Sequence, residues 1–272
     1  MRGIITMGDI LGMAYFQRAL LGGILVGGLA SYYGTFVVQR GLSFLGSGLA
    51  HAAFGGIALG ILLGLDPLVV AVPFTLVVAA GIVWLQQRTQ LAADTTVGIF
   101  FAVSMALGII FLAMTPRFTT DAFAYLFGSI LYVTPLDLWI SGALALGALG
   151  TSFTLWRRWA FATFDRELAQ SEGLPCRRDD YLLALLLAVV TVVSIKVVGM
   201  TLIAAFLVIP PAAARLVART FSGMTILSVL IGISSSIVGM VASVQMDLPP
   251  GPVIIMVQAA AFVVALAIRG RR

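Results

Sequence analysis

The chain has 272 residues, of which 61% are hydrophobic and only 10% charged. A soluble domain carries about 25% charged residues, so a water-soluble fold is excluded; at about 20 residues per crossing, an integral membrane protein of this length holds eight or nine helices. The formal charge of +5 points to loop arginines that set orientation in a bilayer, not to nucleic acid.

The first stretch, MRGIITMGDILGMAYFQ, has one early arginine but no compact apolar run followed by a small-residue cleavage site, so no secretory signal is expected. Charged or proline-rich borders then mark nine apolar stretches: 18–38, 48–65, 67–86, 95–114, 136–156, 181–197, 199–214, 224–246 and 251–268. Helices are expected throughout, because lipid offers no partner to an unpaired backbone group. The fold class is therefore all-α, a single polytopic domain over 1–272. The segment AFAYLFGSILYV (122–133) is too short to cross and reads as re-entrant or interfacial. The pair 181–197 and 199–214 is short for two crossings, and counting it as one broken span gives eight.

Arginine placement orients the spans. With the tail RGRR and the loop 156–180 in the cytoplasm, alternation puts Arg40, Arg88, Arg215 and Arg219 on the same side. Twelve basic residues then lie inside, and four (Arg2, Arg18, Arg117 and Lys196) lie outside or near outer ends. A nine-span count puts the N-terminus outside and the C-terminus in the cytoplasm.

In the second span Ala52, Gly56, Gly60 and Gly64 recur every four residues, a small-residue stripe for close helix contact. Ser47, His51 and Gly55 form a neighbouring face. His51 is the one histidine of the chain, and an ionisable group inside a span is a candidate ligand or relay on a transport path. The competing reading is an inter-helix hydrogen bond.

Enzyme chemistry is missing. There is no GxxxxGK[ST], so ATP cannot bind by a P-loop. One histidine excludes HExxH and any two-histidine centre within one chain. Cys176 is alone, so there is no disulfide framework. A Ser–His–Asp triad would need a buried acid, and no span has one at its centre. In the cytoplasmic loop, about 157–180, FDRELAQSEGLP reads as a helix of about two turns: Asp165 as N-cap, Glu167 in the first turn, Gly173 and Pro175 as the stop. Such a short helix is stable only when packed on something, which suggests a docking element for a soluble partner.

Five further pieces complete a pattern: the run 16–60, LAADTTVGI (91–99), AYLFGSILYVTPLDL (124–138), VVGMTLIAAFLVIPPAAARLVAR (197–219) and DLPPGP (247–252). With FDRELAQSEGLP, in this order, they resemble the membrane permease subunit of ABC importers for zinc, manganese and related divalent metals. The resemblance implies a permease, not an enzyme, working as a homodimer in the bacterial inner membrane. It implies two separate cytoplasmic ATPase subunits, an extracytoplasmic metal-binding protein, lipid around the spans, no nucleic acid and no permanently bound cofactor; the metal is cargo.

In that scheme Asp165, Glu167, Leu168, Glu172 and Gly173 form the segment that couples to the ATPase. The family pattern GDxLxH is met at His51, while Ser47 stands where the family has aspartate; these two are the candidate metal contacts of the path. A serine hydroxyl is a weak neutral ligand, which leaves a metal chelate or cobalamin-like cargo as an alternative, with a membrane-embedded enzyme or a scaffold further behind. Asp247 is a candidate contact for the binding protein, in a turn with Pro249, Gly251 and Pro252. Asp94 is expected to N-cap the fourth span, Pro210 and Pro211 to kink the inner end of a short span, and Arg215 and Arg219 to anchor it at lipid headgroups. Met200, Met240 and Met246 are expected in the core.

Overall fold

The computed structural model describes residues 13–89, 91–115 and 134–270. The expected re-entrant segment 122–133 lies outside the described residues, and so does the tail beyond residue 270. Among the described residues nine helices are long and apolar enough to cross a bilayer. They are α1 (Ala14–Gln39), α2 (Ser43–Leu63), α3 (Pro67–Arg88), α4 (Ala93–Ala113), α5 (Pro135–Thr154), α8 (Cys176–Val198), α9 (Met200–Val217), α10 (Phe221–Met246) and α11 (Pro250–Arg269). Two short helices, α6 (Trp156–Phe164) and α7 (Arg166–Ser171), fill the loop between α5 and α8.

The doubtful pair resolves into two helices. Gly199 separates α8 from α9 at φ +84°, ψ 163°, a conformation open in practice only to glycine. At 1.5 Å per residue, the 18 residues of α9 extend about 27 Å, close to the hydrocarbon thickness of a bilayer.

Lipid supplies no hydrophobic drive between helices, so close backbone approach and hydrogen bonds must hold them. Helices α1 and α10 meet back to back: a Cβ on Gly27 would lie 2.9 Å from the Gly232 carbonyl. Ser228 Oγ donates to Ser31 O at 3.0 Å and Ser236 Oγ to Gly23 O at 2.9 Å. Helix α9 lies against the same α1. Pro210 and Pro211 sit buried inside it, and the helix continues to Val217. Pro210 deprives the Phe206 carbonyl of its helical donor, and Ser31 Oγ donates to that carbonyl at 3.4 Å.

The small-residue stripe of α2 packs on α3, where Cβ atoms on Gly56 and Gly60 would meet the backbones of Ala71 and Pro67 at 2.6 and 2.8 Å. Gly64 differs from expectation: it is the left-handed cap that ends α2, not part of the stripe. Asp66 then starts α3, accepting from Leu68 N at 2.9 Å and Val69 N at 3.2 Å.

Three other expectations are corrected. Helix α4 begins two residues earlier than expected, with Ala92 as N-cap, so Asp94 lies inside its first turn. There it favours the helix dipole without capping a backbone N–H. Met200 and Met240 are buried, but Met246 is exposed, at the last residue of α10. In the outer turn, Gly251 and Pro252 belong to the first turn of α11 and leave a shorter connection.

Candidate functional site

His51 sits half-buried on α2, on the side that faces α4. Its ring meets Phe101 edge-on, centroids 4.9 Å apart, and Phe44 also packs on Phe101, at 5.8 Å. Close contacts of α2 with α4 place this pair: Gly48 meets the Val97 side chain, and Phe54 fills the space a Cβ on Gly108 would need. His51 Nδ1 is 2.8 Å from the Ser47 carbonyl oxygen and 3.5 Å from Ser47 Oγ. A carbonyl only accepts, so Nδ1 carries the proton and donates it, which leaves the lone pair of the neutral ring on Nε2. Metal-ligating histidines are held in the same way, one nitrogen donating to a carbonyl or carboxylate while the other binds.

Among the described residues no three His, Cys, Asp or Glu side chains converge on a point that could hold a metal ion. The chain therefore offers, around His51, an imidazole and a more distant hydroxyl.

The second polar region lies at the arginine-rich end. Asp165 caps α7 by accepting from Leu168 N at 2.8 Å, and Glu167 lies in the first turn. Gly173, at φ +78°, turns the chain out of the helix, with Leu174 N donating to Ala169 O at 3.0 Å. Of α7 only Ala169 is buried. Leu168 and Phe164 are 47% and 60% exposed, beside the exposed carboxylates of Asp165, Glu167 and Glu172. An apolar knob ringed by acids is thus presented outward.

What holds α7 in place was not legible in the sequence. Asp180 accepts from Arg40 Nη1 at 2.9 Å through one oxygen and from Arg166 Nη2 at 2.7 Å through the other. Arg40 Nε donates to Thr163 Oγ1 at 2.9 Å. Arg158 forks onto buried Asp179. Burial pushes the Arg40 guanidinium below its usual value, and the charge of Asp180 opposes that shift. These arginines entered the sequence reading only as orienting charges; the adjacent pair Asp179–Asp180 after CRR was the available signal.

At the opposite end Lys196 Nζ lies 2.8 Å from Asp137, which also closes a capping box with Thr134. The ion pair places the start of α5 beside the end of α8, as alternation of the spans requires. Asp247 is exposed, in a left-handed conformation (φ +51°) that ends α10, and Ser243 Oγ steadies the turn by donating to Leu248 O at 2.6 Å. Arg215 donates to Val38 O at 3.4 Å and so serves the open end of α1, while Arg219 is exposed.

Nine apolar helices among the described residues, with a lone oriented imidazole within them and an exposed acidic–apolar helix beyond them, define a multi-pass membrane protein. Over residues 13–269 the sequence matches the ABC 3 transport family, and the chain belongs to that family. It is 32% identical to the manganese transport system membrane protein MntC of Halalkalibacterium halodurans, over 94% of this chain and 88% of that protein. It is 34% identical to the high-affinity zinc uptake system membrane protein ZnuB of Haemophilus influenzae, over 93% of this chain and 97% of that one. Among solved structures, PsaBC from Streptococcus pneumoniae in complex with Fab matches with a TM-score of 0.83 at 32% identity, covering 95% of this chain and 93% of that one.

Proposed function

We propose that this chain is the permease subunit of an ATP-driven importer that carries a divalent metal ion, manganese or zinc, across the bacterial inner membrane, with its C-terminus in the cytoplasm. The observation that carries the reading is His51, whose Nδ1 is committed to the Ser47 carbonyl so that Nε2 is available as a ligand. The names of relatives such as MntC and ZnuB favour the same cargo.

A single imidazole with a hydroxyl is too few ligands to retain a divalent ion, which suits a path that must release what it binds. Two copies of the chain would supply two His51 side chains and two Ser47 groups. Since the chain has no P-loop, ATP hydrolysis belongs to a partner. The knob of α7, with Asp165, Glu167, Leu168, Glu172 and Gly173, is the surface that partner would grip. Its closure on ATP would bias the path between outward and inward openings. Asp247 and its turn would meet an extracytoplasmic binding protein.

The test is cellular metal content in metal-depleted medium for three strains: native, deletion, and deletion rescued with His51→Ala. Deletion is expected to lower one metal, and the variant is expected not to restore it despite normal membrane levels. Full rescue would place the path site elsewhere. No change in any metal on deletion would favour the second reading, a chelated cargo, for which Ser47 in place of a carboxylate is the supporting observation.

A further inference from the structure

Asp180 is the one carboxylate in the described structure that joins two arginines from different elements. Arg166 belongs to α7 and is 49% exposed on its side chain; Arg40 belongs to the corner between α1 and α2 and is 13% exposed. The corner is short and tied to itself: Gly41 N donates to Val38 O at 3.2 Å, Leu42 N to Val37 O at 2.9 Å, and Leu45 N to Leu42 O at 2.8 Å. It therefore moves as one piece with the start of α2, the helix that carries Ser47 and His51 one and two turns on. A partly buried guanidinium is held by its counter-charge, so a displacement of Asp180 bears on the corner.

We propose that Asp180 and Arg40 are positioning residues that relay a displacement of α7 to the α1–α2 corner, and through it to the helix bearing His51. The proposal rests on the reading of α7 as the ATPase-docking helix. Backbone continuity carries α7 into α8, through the Gly173 turn. The Arg166–Asp180–Arg40 bridge adds a direct polar connection from α7 to the α1–α2 corner, which lies more than a hundred residues away in the chain. The nearby pair Arg158–Asp179 makes the contrast. It fastens α6 to the first turn of α8 and makes no hydrogen bond to the corner.

The experiment uses the permease co-purified with its cognate ATPase in liposomes, measuring manganese uptake and ATP hydrolysis together. Arg40→Gln, Asp180→Asn and Arg166→Gln are expected to keep the complex assembled and hydrolysing while manganese carried per ATP falls at least about fivefold, the low end of typical coupling between sites. Arg40→Lys, which keeps the charge, is expected to recover part of the ratio. Arg158→Gln breaks an ion pair of the same region and is expected to leave the ratio unchanged. An unchanged ratio in the first three, or an equal fall with Arg158→Gln, overturns the relay and leaves plain stabilisation. Arg40→Gln and Asp180→Asn disturb buried groups; if either fails to assemble, the half-exposed Arg166→Gln decides. Leu168→Arg, placed on the α7 knob, separates the two ideas. If it leaves ATPase association intact, the docking role of α7 fails, and the relay with it; if it abolishes association while the bridge variants keep their ratio, only the relay fails.

Discussion

Ser47 supplies two groups to His51 that a substitution can separate. Its carbonyl takes the Nδ1 proton at 2.8 Å, while its hydroxyl stands farther off at 3.5 Å. Ser47→Ala keeps the carbonyl and the ring orientation, so metal uptake is expected to stay within a factor of about three, since the outer contact it removes is long. Ser47→Asp adds a carboxylate on the same helix face and is expected to lower the half-saturating metal concentration by about tenfold or more. Uptake curves for manganese and zinc check both; a collapse of transport in Ser47→Ala would make the hydroxyl itself a ligand. Lys196 gives a second prediction at this scale. Lys196→Met removes the counter-charge of Asp137, 5% exposed, and leaves it only the hydrogen bonds from Thr134, which is expected to cost about 1–3 kcal/mol. Asp137→Leu combined with Lys196→Met is expected to recover most of that loss, read as the apparent melting temperature in detergent. His51 was visible in the sequence because a lone imidazole in an uncharged span stands out. Phe101 was not, because a partner 50 residues along the chain is chosen by how α2 and α4 pack.

Among the elements, helix borders written in turn chemistry were legible and those written in packing were not. Asp165, Glu167 and Gly173 mark α7 locally, and each occupies its expected place. A six-residue helix has little intrinsic stability, so Asp165→Ala is expected to cost about 1 kcal/mol of local stability. The loss would appear as weaker ATPase co-purification with the spans intact. Whether 181–214 is one span or two turned on Gly199, whose backbone conformation no periodicity records. Gly199→Ala is expected to destabilise the protein by about 1–3 kcal/mol, again as a lower apparent melting temperature. The prolines of α9 show the opposite limit. Their sequence signal reads as a kink; the helix runs on to Val217, and Ser31, on another helix, donates to the carbonyl that Pro210 leaves open.

For the molecule as a whole, charge placement predicts a cytoplasmic C-terminus. A reporter that fluoresces only in the cytoplasm, fused after residue 272, is expected to be bright, and an exported phosphatase fused there inactive. The packing agrees in its relative sense: Arg40, Arg158, Arg166, Asp179 and Asp180 gather at one end, and Asp137 with Lys196 at the other. By itself the sequence determined the membrane class, the all-helical fold and the borders of most spans. Those follow residue by residue, from the cost of placing charge or an unpaired backbone group in hydrocarbon. Only the tertiary structure decided which ring packs on His51, which arginines share Asp180, and how α1, α9 and α10 press together. These depend on close approaches between segments up to two hundred residues apart, made possible by small residues and serines whose partners the linear chain does not name.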